Sequence, residues 1–187
     1  MVVLILGLVV FLGIHSVRMV APDFRDGVIA KRGANTWQII YSVVSIAGFV
    51  LLVYGYGLAR ENAEQLYLPI SGARGVALIV MPIALILLIS SQGPVGYIKK
   101  TIRHPMLWAI ILWASVHLAN NGDTASVVMF GALLVWAIFD LVSCYRRGGT
   151  PPMASVAGDI IAIIVGLIVT YVFVSFLHQY LFGVGVI

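Results

Sequence analysis

The sequence predicts an all-α fold: a polytopic membrane helical bundle of about six transmembrane helices. Three observations carry that reading. Apolar residues make up 61% of the 187-residue chain and charged residues only 10%, against roughly 45–50% and 25% in soluble domains. The apolar residues fall in runs of about 20, the length that crosses a hydrocarbon core. None of these runs alternates polar with apolar residues, as a porin-like barrel would require. The net charge of +4, from 11 Lys and Arg against 7 Asp and Glu, is too sparse to solvate a globule. The apolar and charged shares together exclude a disordered chain, a nucleic-acid module and an ordinary soluble enzyme. The lipid bilayer is therefore the first partner implied.

The first run spans Val2 to Ala21 and is ended by Pro22. It has no basic n-region and no following A-x-A site, so it reads as a retained helix rather than a leader. The second runs from Gln38 to Leu58, after a loop from Val28 to Trp37 that carries Lys31, Arg32 and Gly33. The third, Ala73 to Ser91, contains Pro82, which is expected to kink it. Pro105 opens the fourth, Pro105 to Ala119, at a position where its missing N–H costs nothing. Asn121-Gly122-Asp123 reads as a tight turn, with Asp123 the N-cap of the fifth run, Thr124 to Ser143. Arg146 to Pro152 reads as a Gly/Pro linker, and the sixth run extends from Met153 to about Leu181.

Basic residues are unevenly shared between the two sides. The first, third and fifth loops and their borders hold Arg18, Arg25, Lys31, Arg32, Lys99, Lys100, Arg103, Arg146 and Arg147; the opposite side holds Arg60 and Arg74. The positive-inside rule then puts both termini on the periplasmic side of a bacterial inner membrane. The single cysteine, Cys144, excludes an internal disulfide framework and a CxxC redox or zinc site.

Ionisable residues inside apolar spans are costly and mark candidate sites. Here they are His15, Arg18, His117, Asp140, Asp159 and His178, with His104 at an interface. Asp159 reads as a favourable charge at a helix N-terminus, Asp140 as the partner of a nearby arginine, and His178 as an interfacial histidine. His15 lies roughly 9 Å and His117 roughly 18 Å from the basic side, counted along their helices. Side chains tilt toward the N-terminus of their helix, and these two helices run in opposite directions, so the imidazoles lean toward one depth. Two such imidazoles suit an axial haem pair; two histidines hydrogen-bonded inside the bundle are the alternative. Gly7, Phe11, His15 and Arg18 share one helix face, as do Met106, Ile110, Trp113 and His117. Arg18 or Arg103 could meet haem propionates at the cytoplasmic border.

The segments GIHSVRMVAPDFRDGVIAKRG (Gly13 to Gly33), WQIIYSVVSIAGFVLLVYGY after it, and TIRHPMLWAIILWASVHLANNGD (Thr101 to Asp123) resemble the NnrU family of bacterial membrane proteins. The resemblance runs from the first helix through Asp140 and implies a single transmembrane domain, 1–187. It implies a role in denitrification, alongside the nitrite and nitric oxide reductase machinery. The same domain is shared by 15-cis-zeta-carotene isomerase, a haem b enzyme. Its ligand histidines, in an HS motif and about a dozen residues after RHP, match His15 and His117 here. His104 matches the RHP histidine, for which no ligand role follows; a propionate contact is one expectation. The isomerase's cysteine three residues before its second histidine is Ala114 here, which argues against a Cys-to-His ligand exchange. The resemblance thus implies non-covalent haem b held by His15 and His117, in a redox, NO-responsive or maturation component. A haem-dependent membrane isomerase of a polyene and a cofactor-free assembly or transport protein are the competing readings.

Overall fold

The computed structural model describes residues 1–149 and 153–186. Its helices are α1 (Val2–Val20), α2 (Pro22–Arg32), α3 (Ala34–Arg60), α4 (Ala73–Gln92), α5 (Tyr97–Ile102), α6 (Pro105–Asn120), α7 (Thr124–Arg147), α8 (Val156–Val172) and α9 (His178–Phe182), with a π-helical turn, Phe173–Leu177, joining the last two. Among the described residues no strand forms; Gln65 and Asp123 make one isolated antiparallel bridge. Among the described residues, five helical stretches are long and apolar enough to cross a membrane: α1, α3, α4, α7 and Val156–Phe182. α6 is apolar but shorter. The chain is a helical membrane protein, and these six stretches answer to the six runs read from sequence.

Two segments read as irregular are helical. The stretch from Val28 to Trp37, expected to be a loop, is the end of α2, a break at Gly33 and the start of α3. Pro22 begins α2 with φ already set for a helix. Gly33 ends it with φ 83°, a conformation that costs residues with a Cβ. α5 is a single short helical stretch between Gly96 and Arg103. The expected linker from Arg146 is partly helix too, since α7 continues to Arg147; its Thr150-Pro151-Pro152 part lies outside the described residues. α4 continues through Pro82.

The chain divides into two compact units, 1–69 with 121–143, and 70–120 with 144–187. In the first unit α1 and α3 pack backbone to backbone. A Cβ added at Gly7 would strike the Leu52 backbone, one at Gly55 the Leu4 backbone, and one at Gly48 the Phe11 amide nitrogen at 2.7 Å. Lipid-embedded helices gain little from the hydrophobic effect between themselves, so small residues that permit close approach are what join them. The loop after α3 is tied to the start of α7. Thr124 N–H donates to the Glu64 carbonyl at 2.9 Å, and Leu66 N–H to the Gly122 carbonyl at 2.8 Å.

Asp123 caps α7 as expected. One carboxylate oxygen accepts from Ser126 N–H at 2.9 Å and the other from the Ser126 hydroxyl at 2.6 Å. Because that hydroxyl spends its one proton on Asp123, the Tyr56 hydroxyl must be the donor in its 2.9 Å bond to Ser126 Oγ. Ser126 is fully buried, so this chain from α3 to the α7 cap is satisfied at every step.

In the second unit α4 packs against both α6 and α8. The contacts are again small: Ala84, Ala109, Ala114 and Ala162 are buried, and Gly166 sits against the Ile86 backbone. Ser155 caps α8 by accepting from Gly158 N–H at 3.3 Å. Asp159 lies in the first turn of α8, as expected. Its carboxylate also accepts from the N–H groups of Tyr97 and Ile98, both at 2.9 Å. It therefore serves two helix starts, and α5, too short to persist alone, is fixed by a residue 62 positions away in sequence.

Candidate functional site

His15 belongs to the first unit. Helical spacing puts it one turn after Phe11, and its Nδ1 lies 2.6 Å from the Phe11 carbonyl oxygen. A carbonyl only accepts, so Nδ1 carries the proton. In that tautomer the lone pair is on Nε2. Rings surround it: Phe11 at 4.3 Å between centroids, Tyr41 of α3 edge-on at 5.1 Å, and Trp136 of α7 edge-on at 5.9 Å. Trp136 is itself tethered, with Nε1–H donating to Ser16 Oγ at 3.0 Å. Ser16 passes its own proton to the Leu12 carbonyl at 2.7 Å. Two consecutive residues of α1 thus each bond the carbonyl one turn back, and the second fixes a ring against the first.

His117 belongs to the second unit and repeats the arrangement. Its Nδ1 lies 2.7 Å from the Trp113 carbonyl, and its ring is 5.0 Å from that of Trp113. The same argument places the proton on Nδ1 and the lone pair on Nε2. An aromatic residue four positions before the histidine is the sequence signal shared by both sites. Helical spacing alone puts each pair on one helix face; the hydrogen bond follows from the side-chain rotamer.

The remaining candidates are placed as follows. Arg18 is exposed in the last turn of α1. Arg103 is exposed between α5 and α6 with φ 64°, a conformation uncommon outside glycine and asparagine. His104 precedes α6, with its carbonyl accepting from Leu107 N–H at 3.1 Å and its ring edge-on to Tyr145 at 5.2 Å. His178 bonds the Val184 carbonyl through Nδ1 at 2.7 Å. Asp140 lies half-buried in α7. His15 and Arg18 are in the first unit; Arg103, His104 and His117 are in the second.

These two imidazoles are donors that would suit a haem, which needs few ligands from the protein. Among the described residues no three His, Cys, Asp or Glu side chains group to hold an ion. A porphyrin supplies its own equatorial ligands and asks the protein for one or two axial groups. A histidine whose other ring nitrogen is hydrogen-bonded to a backbone carbonyl is the usual form of a ligating imidazole, because that bond fixes tautomer and ring plane. The phenyl and indole rings around His15 are apolar, as a macrocycle requires.

A sequence model of the NnrU protein family matches residues 3–186, nearly the whole chain. No curated protein and no solved structure matches it.

Proposed function

Since the chain belongs to the NnrU family, we propose that it is a haem b membrane protein of denitrification, in which His15 and His117 would hold the haem iron. It supports nitrite and nitric oxide reduction as a redox, NO-responsive or maturation component. The observation that carries the haem reading is the repeated histidine setting. Each imidazole donates Nδ1–H to the carbonyl of an aromatic residue one turn back, at 2.6 and 2.7 Å, leaving the lone pair on Nε2. Haem held there would supply a one-electron couple and an iron to which a diatomic nitrogen oxide could bind in place of one imidazole. The residues of the chain hold ring planes and exclude water: Phe11, Tyr41 and Trp136 do so around His15. Arg18 and Arg103 supply cations suited to propionates. The test is the visible spectrum of protein purified from haem-replete cells. A low-spin Soret band with resolved α and β bands is expected. A colourless protein that folds normally rejects the haem reading and leaves a cofactor-free assembly role.

We also place both termini on the periplasmic side of a bacterial inner membrane. The support is the nine-to-two split of Lys and Arg between alternate loops. A periplasmic-type reporter fused after Ile187 is expected to be active and a cytoplasmic-type reporter silent. The reverse pattern overturns the orientation.

A further inference from the structure

α2 joins α1 to α3 with one residue on either side, Ala21 and Gly33. Both neighbours are long and apolar enough to span the bilayer, so an 11-residue helix between their ends sits at a membrane face. Its side chains are segregated in a way that suits that position. Phe24, Val28 and Lys31 follow one another at helical spacing, with Arg32 beside Lys31. Asp23, Asp26 and Ala30 form a separate line. No residue of α2 is buried. Phe24 is 62% exposed although its ring stands edge-on to the buried Trp37 at 6.5 Å. Its outer surface is covered by none of the described residues. Arg25 is spoken for, paired with Asp26 at 2.6 Å, whereas Lys31 and Arg32 are exposed.

We propose that α2 is an interfacial helix that binds anionic phospholipid, with Phe24 and Val28 at the headgroup–acyl boundary, Lys31 and Arg32 on the lipid phosphates, and Asp23 and Asp26 turned to water. Charge complementarity selects the occupant. Cations and an aromatic ring on one flank match an anionic leaflet, and carboxylates on that flank would be repelled by it. A helix lying in solvent would gain nothing from this separation. The inference concerns the first unit alone and does not depend on haem.

The experiment titrates detergent-solubilised protein with phosphatidylglycerol and, separately, phosphatidylcholine, and counts bound lipid by native mass spectrometry. Each juxtamembrane cation contributes about fivefold in affinity for an anionic lipid surface. The Lys31→Gln/Arg32→Gln variant is therefore expected to bind phosphatidylglycerol roughly 25-fold more weakly and phosphatidylcholine unchanged. Asp23→Asn/Asp26→Asn is expected to leave phosphatidylglycerol affinity equal or higher. Both pairs are exposed, so both variants should elute as folded protein. Equal phosphatidylglycerol affinity in the wild type and the Lys31/Arg32 variant overturns the proposal. So does equal affinity of the wild type for the two lipids.

Discussion

Gly55→Val is expected to abolish folding of the first unit, or to lower its stability by about 3 kcal/mol or more. The added side chain begins where the Leu4 backbone already lies. Backbone cannot rotate out of the way as a side chain does, so α1 and α3 must separate along their length. Separation also opens the contacts of Gly48 with Phe11 and of Gly7 with Leu52, because the three glycines serve one helix pair. Gly7→Val should therefore match Gly55→Val. Gly13 and Gly57 are the controls. They lie on the same two helices, and an added Cβ at either meets nothing within 4 Å. Gly13→Ala and Gly57→Ala should be neutral, or stabilising by up to about 1 kcal/mol through helix propensity. Thermal melting in detergent, followed by circular dichroism, makes the comparison. Equal melting of Gly55→Val and Gly57→Ala would mean that the α1–α3 contact is looser than described.

How much of this was legible in the sequence depended on whether the deciding interaction was local. Long apolar runs, the proline opening α6 and the Asp123 cap of α7 are local signals, and the corresponding starts at Pro105 and Thr124 were read correctly. The start of the last span was placed at Met153, although Ser155 carries the cap; a serine just before an apolar run was available as a signal. α2 was missed because a membrane-length window averages its polar residues into a loop, while Pro22 and Gly33, its true boundaries, act over single positions. α5 was not legible at all. Six residues do not nucleate a helix, and the carboxylate that holds its first N–H groups belongs to Asp159, far along the chain. The candidate histidines divide in the same way. That each shares a face with an aromatic residue follows from spacing. The ring of Trp136 beside His15, held by Ser16, required tertiary structure, because nothing local links α7 to α1.

His15→Ala and His117→Ala are each expected to convert low-spin haem to high-spin, or to leave no more than about a tenth of the wild-type haem, as the loss of about 1.4 kcal/mol of ligand binding does. Low-spin iron needs two strong-field axial ligands, and alanine offers none. The comparison gains its force from the other two histidines. His178 is also an imidazole bonded through Nδ1 to a carbonyl, but that carbonyl belongs to Val184, in the stretch after α9, and not to an aromatic residue one turn back. His178→Ala should leave the spectrum unchanged. His104 stacks edge-on against Tyr145 before α6; His104→Ala should keep the low-spin spectrum, with at most weaker haem retention. Arg18→Ala and Arg103→Ala should likewise weaken retention without changing spin state, because a propionate contact touches the edge of the macrocycle and not the iron. Exogenous imidazole separates ligand loss from misfolding: it should restore the low-spin bands of a folded His15→Ala or His117→Ala protein and do nothing for an unfolded one. If both variants keep a wild-type low-spin spectrum, the iron is held by other groups, and the shared hydrogen bonds to Phe11 and Trp113 serve only to satisfy two histidines within apolar helices.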